Sequence, residues 1–380
     1  MKTTATPKQT TSPAIPGLCI AIESGAKEWK LYFSTGLGQH PRERTVAARG
    51  LERLAEEISR AKAHFGLSPD ARVSSCYEAG RDGFWLHRAL VGMEIENRIV
   101  DSSSIEVNRR QRRAKTDRVD GQSLLRMLWR YHNGEKTVFR IVQVPSEEEE
   151  DERQLQRELV TTKRDRVDVV NRIKGLLFGQ GVYLAELDDL AEQLPRLRRW
   201  NGKPLGEGLL KRIQREWSKV VLLAKQIREL EKERRRLLKE AKGKAAQVAG
   251  RLMRVRGIGE NAGWLYSTEF FAWREFRNRR QVGGLAGLAG TPYQSGNDSR
   301  EQGMSKAGNR WVRGIAIEIA WGWLRYQPES ELSRWYQRRF GHGSSRLRRI
   351  GIVALARKLL IELWKYLETG TPPAGALLKG

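Results

Sequence analysis

Four acidic residues in the first third of the chain have the types and positions expected of a metal site. Glu23 and Glu78 each end a short apolar run, while Asp117 and Asp120 lie three residues apart in Lys-Thr-Asp-Arg-Val-Asp, so a helix would present both on one face. Four converging carboxylates repel one another unless cations lie between them, and carboxylate oxygens favour Mg²⁺ or Mn²⁺. Two such ions could activate a nucleophile and stabilise a leaving oxygen at a phosphodiester.

Each acidic residue also has a simpler interpretation when taken alone. Asp117 could cap a helix, Asp120 could be a first-turn carboxylate favoured by the helix dipole, and the two glutamates could be ordinary strand-end charges. A dense group of cations beside the aspartates favours the site, because it suits a phosphate backbone. Its members are Arg109, Arg110, Arg112, Arg113, Lys115 and Arg118. Asp82 is a further candidate, but its place at a predicted helix start favours a capping role.

Two glycines in the second half of the chain suit a phosphate contact. Gly257 and Gly259 lie between two helical segments predicted within residues 252–265, which resembles a helix-hairpin-helix element. Glycines at such a turn let backbone N–H groups approach a phosphate without an intervening β-carbon. Arg254 and Arg256 come just before the turn and strengthen this interpretation.

A candidate nucleophile lies in the glycine-rich segment 285–308, whose polar composition without period predicts a loop. Candidate phosphate-binding residues in and after this segment are Arg300, Lys306, Asn309 and Arg310. A serine hydroxyl is a poor nucleophile until a base or a metal activates it. From the residues alone, Ser295 is best interpreted as a hydrogen-bonding loop serine.

The overall charge indicates a polyanionic partner. The 380 residues include 70 lysines and arginines against 45 aspartates and glutamates, which gives a net charge of +25. Nucleic acid is favoured over a membrane, because the basic residues are spread along the chain and no run of about 18 apolar residues or signal peptide is present. Cys19 and Cys76 form no CxxC pair, which argues against a zinc module and a disulfide framework and favours a reducing cytosol.

The elements that would position the acidic residues form a mixed α/β sheet with helices on its faces. A disordered leader is predicted for residues 1–16, and this α/β domain for residues 17–145. Its predicted strands are 18–23, 29–33, 71–78, 95–100 and 137–144, and its predicted helices are 50–66, 82–92 and 117–132. Pro145 and the acidic run after it mark the boundary.

The rest of the chain is predicted to be helical. Residues 146–246 contain two long charged helices, 150–180 and 204–245, which are typical of an antiparallel coiled-coil arm. A pair of solvated helices packed on a neighbouring domain is the alternative. Residues 247–380 are richer in glycine and tryptophan, and form an all-α domain that ends with helices at 309–326 and 345–368.

Seven short strings of this sequence resemble the DEDD-type transposases of bacterial insertion sequences that are guided by a bridge (seeker) RNA. The strings are Ile-Glu-Ser-Gly-Ala-Lys (22–27), Tyr-Glu-Ala-Gly (77–80), Lys-Thr-Asp-Arg-Val-Asp-Gly-Gln-Ser-Leu (115–124), Arg-Ile-Lys-Gly-Leu-Leu (172–177), Val-Arg-Gly-Ile-Gly (255–259), Gly-Leu-Ala-Gly-Thr-Pro (287–292) and Ser-Lys-Ala-Gly-Asn-Arg (305–310). The resemblance implies an N-terminal RuvC-like (RNase H-like) domain, the coiled-coil arm, and a C-terminal transposase domain with a helix-hairpin-helix.

The resemblance also implies roles for individual residues. Glu23, Glu78, Asp117 and Asp120 take the four acidic positions, and Ser295 takes the position of a serine that attacks DNA to form a phosphoserine link. Ser299 and Ser305 are the nearby alternatives. One departure is that the first acidic position is usually Asp, and the additional methylene of a glutamate could shift the metal.

The partners implied are a guide RNA, donor and target DNA, and further copies of the chain in a dimer or tetramer. The location implied is the bacterial cytoplasm, near the nucleoid. Two other functions fit the same residues. One is a RuvC-like nuclease or junction resolvase that uses metal-activated water and no serine. The other is a protein that binds nucleic acid without chemistry.

Overall fold

The computed structural model describes residues 17–80, 83–105, 117–295 and 298–379. They divide into two compact units, one up to Val144 and one from Pro145 onward. The predicted leader 1–16, Asp82 and the predicted cations from Arg109 to Lys115 lie outside the described residues.

The first unit is built on a five-stranded mixed sheet in the order β3-β2-β1-β4-β5. Its elements are β1 (Leu18–Ser24), β2 (Glu28–Ser34), β3 (Arg42–Ala47), α1 (Leu51–His64), β4 (Val73–Glu78), α2 (Trp85–Gly92), β5 (Glu96–Val100) and α3 (Asp117–His132). The β1, β2 and β3 strands pair antiparallel, while β1, β4 and β5 pair parallel. The mixed α/β sheet predicted from the sequence is confirmed.

Helices cover both faces of this sheet, so its central strand is apolar at every position from Leu18 to Ile22. Leu18, Ile20 and Ile22 pack in one cluster with residues of α1 and α2. Cys19 and Ala21 point to the opposite face and pack with the apolar side of α3. Successive residues of a strand alternate between faces, so β1 contributes to both cores.

Two strands differ from the prediction. Residues 137–144 do not form a strand in the structure, where only an isolated antiparallel bridge joins Ile141 to Val100. The fifth strand is instead β3, whose sequence Arg-Glu-Arg-Thr-Val-Ala is mostly charged or polar. Such a composition suits the edge of a sheet, where charges discourage pairing with another chain, but it lacks the apolar alternation that identifies a strand in a sequence.

The second unit is helical apart from one hairpin. Its elements are α4 (Glu147–Phe178), α5 (Leu190–Gln193), α6 (Glu207–Glu240), α7 (Gly243–Met253), α8 (Glu260–Tyr266), a π-helical turn (Ser267–Phe271), α9 (Arg279–Leu285), β6 (Gly290–Ser295), β7 (Asp298–Met304), α10 (Arg310–Tyr326), α11 (Glu331–Tyr336), a second π-helical turn (Gln337–Gly341) and α12 (Ser345–Thr369). Its main core lies between α10 and α12, around Trp323 and Leu359. In the described part of the chain, no helix has the length and apolarity needed to cross a bilayer.

The helices α4 and α6 pack along each other in opposite directions to form the arm. Lys163 of α4 pairs with Glu231 of α6, and further along α4 Arg172 pairs with Glu216. The residue numbers increase on α4 while those of the partners on α6 decrease, so the helices are antiparallel. Apolar side chains such as Ile173 fill the seam between them. The helix predicted over 204–245 is divided in the structure, because residues 241 and 243 have left-handed backbone angles that end α6 and begin α7.

Candidate active site

Two of the predicted acidic residues end neighbouring parallel strands. The β1–β4 pairing places Ile22 opposite Tyr77, so Glu23 and Glu78 follow at the next position of each strand. Both are two residues beyond side chains, Ala21 and Cys76, that pack on the face covered by α3. Because side chains alternate along a strand, the two glutamates belong to that same face. Glu78 is exposed and Glu23 is half-buried.

The helix α3 runs back across this face from the carboxyl ends of the strands. Near its C-terminus, His132 lies 2.8 Å, from Nε2 to Oγ, from Ser74 at the beginning of β4. Halfway along, the Leu124 carbonyl oxygen is 3.8 Å from the Cys76 Sγ. The first turn of α3, which contains Asp117 and Asp120, therefore lies toward the edge where Glu23 and Glu78 end their strands.

A glycine lets α3 approach the sheet closely at this point. Gly121 lies against Tyr32, and a β-carbon at position 121 would be 2.0 Å from Cε2 of that ring. Tyr32 is paired with Ala21, two residues before Glu23. The close approach thus fixes α3 one residue after Asp120, whose side chain is exposed.

The backbone arrangement brings the four predicted acidic positions to one edge of the sheet. Glu23, Glu78 and Asp120 have described side chains, whereas only the backbone of Asp117 is described. Among the described residues, no group of three Asp, Glu, His or Cys side chains could hold a metal ion. The donor set fits Mg²⁺ or Mn²⁺ in chemistry, and the four-carboxylate site stays a prediction.

The two cysteines on the face covered by α3 are structural. Both are fully buried between the sheet and α3, as free thiols. Burial raises the pKa of Cys76 to about 12 and raises that of Cys19 further still. Since a thiolate is the form that binds metal or attacks an electrophile, neither side chain is suited to do so at neutral pH.

The segment of the candidate serine forms a hairpin and not the loop predicted over 285–308. The strands β6 and β7 pair antiparallel, and Ser295, the last residue of β6, lies opposite Asp298, the first residue of β7. Ser299 lies within β7 opposite Gln294, and Ser305 follows that strand. The hairpin could not be predicted from the sequence, because its glycines and polar residues lack the apolar alternation that identifies strands. Backbone hydrogen bonds define it instead.

The base of this hairpin is held closed by the backbone. Ser305 and Asn309 donate their N–H groups to the carbonyl oxygens of Ala289 and Leu285, at 2.8 and 2.9 Å. Gly308 has a φ of +151°. A β-carbon there would be 2.4 Å from the Leu285 oxygen, so the Ser-Lys-Ala-Gly-Asn string requires its glycine.

Asn309 joins the hairpin to the helices behind it. Its Oδ1 accepts hydrogen bonds from the N–H groups of Trp311 and Val312, at 2.9 and 3.2 Å, and thereby caps α10. Its Nδ2 donates to the Glu269 carboxylate at 3.0 Å. The structure thus gives Asn309 capping and anchoring hydrogen bonds, while the phosphate contact predicted for it is untested. Lys306 and Arg310, also predicted to bind phosphate, are exposed.

Glu269 is a functional candidate that the sequence analysis missed. Its side chain is 1% exposed, and it lies in the first π-helical turn, a conformation that often marks a functional site. Arg157 of α4 donates to it through two nitrogens, at 2.6 and 3.1 Å. This hydrogen bonding raises the pKa of Arg157. The signal in the sequence was an acidic residue immediately before the apolar run Phe-Phe-Ala-Trp.

The glycine turn predicted at 257–259 joins two packed helices, α7 and α8. Gly257 has a φ of +96°, and a β-carbon there would be 3.3 Å from Cβ of Tyr326. A surface cavity of about 550 Å³ lies at this turn, lined by Arg256, Gly257, Ile258, Gly259, Tyr326 and Lys379. Arg254 and Arg256 are both exposed. The helix-hairpin-helix identification stays a prediction, although the cations and the open glycine backbone suit a phosphate.

The chain is similar to transposases over nearly its whole length. A family model described as Transposase IS116/IS110/IS902 family matches residues 249–337. A Sinorhizobium fredii protein named as a transposase, y4rJ, is 41% identical over 375 residues, which cover 95% of this chain and 94% of that protein. The chain belongs to the IS116/IS110/IS902 family of transposases.

Two further relatives of the transposase are more distant. A second Sinorhizobium fredii protein named as a transposase, y4qE, is 28% identical over 75% of this chain and 66% of that protein. The transposase for insertion sequence element IS1328 of Yersinia enterocolitica is 25% identical over 55% of this chain and 60% of its own length. The segment that the family model matches contains the glycine turn at 257 and the hairpin that carries Ser295.

Proposed function

We propose that this transposase cuts and rejoins DNA with a divalent-metal site formed by Glu23, Glu78, Asp117 and Asp120. The observation that carries the proposal is the meeting of two parallel strand ends with the first turn of α3 at one edge of the sheet. Bound Mg²⁺ or Mn²⁺ would polarise the scissile phosphate and stabilise the leaving oxygen. The carboxylates hold the ions, and Gly121 keeps the helix close enough for its aspartates to take part.

We propose Ser295 as the nucleophile. Its hydroxyl oxygen forms a bond to the phosphorus of a DNA strand while the bond from phosphorus to the leaving sugar oxygen breaks, and the hydroxyl proton passes to a base or solvent. Attack by a second strand's hydroxyl reverses the step and rejoins DNA. The place of Ser295 at the end of β6, in a hairpin whose base is closed by backbone hydrogen bonds, supports this assignment.

The resemblance to bridge-RNA-guided transposases supports a guide RNA as a second partner, with donor and target DNA as substrates. In this proposal base pairing reads the DNA sequence and the protein holds the backbones, which a net charge of +25 favours. A dimer or tetramer would bring Ser295 of one subunit to the metal site of another.

Strand cleavage and covalent capture of labelled DNA test the two chemical parts separately. The full-length protein is incubated with Mg²⁺, its copurifying RNA and labelled DNA, and denaturing gels measure cut strands and protein–DNA adducts. Asp117→Asn with Asp120→Asn should abolish both products, because the metal is lost. Recombination that survives in this double variant would overturn the metal site, as a binding protein without chemistry predicts.

Ser295→Ala separates the recombinase from a metal-dependent nuclease. The recombinase loses the adduct and strand exchange, whereas a nuclease that uses activated water keeps cutting. Ser299→Ala is the matched control, since it removes the same group from the neighbouring strand and should leave the adduct intact. If Ser299→Ala instead abolishes the adduct, the nucleophile is misassigned. Sequencing of the RNA that copurifies tests the guide, and the absence of a defined noncoding species would contradict it.

A further inference from the structure

A long stretch near the end of the chain contains no acidic residue. Between Glu331 and Glu362 there are eight lysines and arginines and no aspartate or glutamate. The stretch includes most of α11, the π-helical turn Gln337–Gly341 and the first half of α12. The long helices α4 and α6, by contrast, mix both signs. An unmixed stretch of this length is therefore a distinct surface feature.

Close packing joins the two elements that carry five of the arginines in this stretch. Phe340 of the π-helical turn lies on Gly351 of α12, where a β-carbon would be 2.5 Å from Cγ of the ring. The Tyr336 hydroxyl donates to the Arg348 carbonyl oxygen at 3.2 Å, so the end of α11 is tied to the first turn of α12. The backbone of the turn that carries Arg338 and Arg339 therefore lies next to the first turns of α12, which carry Arg346, Arg348 and Arg349. We call these five residues the arginine surface.

The charges of the arginine surface are exposed and lack anionic partners. All five residues are exposed. No ion pair among the described residues includes any of them, whereas Arg157, Arg172 and Arg236 in the same unit each pair with a glutamate. Like charges without anionic partners in neighbouring elements repel one another, and a bound polyanion removes that cost.

We propose that the arginine surface binds the phosphate backbone of double-stranded DNA independently of its sequence. A planar guanidinium forms paired hydrogen bonds with phosphate oxygens, and the five exposed groups offer several such donors within two packed elements. Leu347 and Ile350, which are 40% and 52% exposed among the arginines, offer apolar contact to the sugars. The membership in a transposase family makes DNA the polyanion expected here.

Titration of a duplex against salt tests the arginine surface. The probe is a fluorescein-labelled random-sequence 30-base-pair DNA, and anisotropy gives Kd for the full-length protein between 50 and 250 mM KCl. The triple variant Arg346→Gln, Arg348→Gln, Arg349→Gln should bind at least about tenfold more weakly, with a salt slope shallower by about 2 to 3, since each phosphate contact contributes about 0.9. EDTA in the buffer makes the result independent of the proposed metal chemistry.

The matched control is Arg212→Gln, Arg215→Gln, Arg228→Gln on α6. These arginines are also exposed and without a described ion pair, and their replacement changes the net charge equally. They lie on a helix that also carries glutamates, so Kd should change less than about twofold. Equal losses in the two triple variants would overturn the proposal, because they would reflect net charge alone.

Two further measurements identify the ligand and the place of contact. An RNA hairpin of matched length replaces the DNA in the same titration, and a triple variant that loses RNA but keeps duplex DNA would overturn the assignment to DNA. A photoreactive benzoylphenylalanine at Leu347 should crosslink to the duplex, while the same residue at Val221 on α6, also exposed, should not. Absence of the crosslink at 347 would contradict direct contact. Thermal unfolding checks that the variants fold.

Discussion

Gly121 contacts the ring of Tyr32 so closely that the smallest side chain would not fit between α3 and the sheet. A β-carbon at this position would be within 2.6 Å of three ring atoms. Gly121 directly follows Asp120 on α3, and Tyr32 pairs with Ala21, two residues before Glu23 on β1. Packing of the sheet and placement of the acidic residues are therefore coupled at one glycine.

Gly121→Ala is expected to displace α3 and weaken the proposed metal site. Overpacking a core typically costs about 1–3 kcal/mol, and the same loss is expected in the free energy of unfolding of the first unit. Mg²⁺-dependent strand cleavage should fall, with a higher Mg²⁺ concentration needed for half the maximal rate. Gly92→Ala, at a helix position with open space around it, is the control and should leave both unchanged. An unchanged Mg²⁺ requirement in Gly121→Ala would separate this contact from the acidic edge.

Removal of the Glu269 carboxylate should loosen the base of the serine hairpin. Glu269→Ala leaves Arg157 and the Asn309 amide without their acceptor, and we expect about 2 kcal/mol of lost stability, because the arginine is partly exposed and recovers water. Adduct formation should slow more in Glu269→Ala than in Glu269→Gln, which keeps an acceptor for Asn309.

Urea unfolding and the covalent-capture assay measure these two effects. Glu229→Ala removes an exposed carboxylate that faces Lys225 one turn away and should cost less than about 0.5 kcal/mol. Equal adduct rates for Glu269→Ala and the wild-type chain would show that the hairpin does not depend on this anchor.

Gly308→Ala should disrupt the closed base of the hairpin while leaving the rest of the second unit folded. Its added methyl would meet the Leu285 carbonyl oxygen, and a left-handed φ strains any residue with a side chain. We expect loss of the Ser295 adduct with duplex binding retained. Gly284→Ala, in α9 with nothing near its β-carbon, should behave as the wild-type chain. Retention of the adduct by Gly308→Ala would argue against the need for a fixed hairpin.

Acid should destabilise the first unit through its two half-buried histidines. Burial, with a smaller contribution from nearby arginines, lowers the pKa of both His87 and His132 below the ordinary value of 6.5. The unfolded chain then binds protons more readily than the folded chain. The stability that the two neutral histidines contribute is therefore present above pH 6.5 and is lost as the pH falls below it. The free energy of unfolding, measured with urea at pH 7.5 and 5.5, should therefore fall less between these two pH values in His132→Gln than in the wild-type chain.

Patterns within short segments predicted much of the first unit. The β1–β2 pair, β4, β5 and the flanking helices follow from apolar runs and helical spacing. The edge strand β3 and the β6–β7 hairpin did not, because charged or glycine-rich strands depend on partners that a local pattern does not reveal. Residues 137–144 have the apolar alternation of a strand but form only a single bridge.

Some residues of the candidate site could likewise be predicted from the sequence, and others could not. Glu23 and Glu78 could be recognised because each ends an apolar run that predicts a strand, and the structure pairs these two strands in parallel. The pair formed by Arg157 and Glu269 could not, since 112 residues separate two groups that meet only after the arm has folded back. Gly121 belongs to the string at 115–124, but only the close approach of Tyr32 explains why a glycine is needed there.

The arm formed by α4 and α6 can be regarded as a spacer of fixed increments. Its helices have 32 and 34 residues, which at about 1.5 Å per residue makes each roughly 50 Å long. Deletion of seven residues from both helices would keep the same sides together and shorten the spacer by about 10 Å, whereas deletion of a single residue would rotate one side by about 100°. The arm's length can therefore be redesigned, or change in evolution, only in whole steps of about two turns.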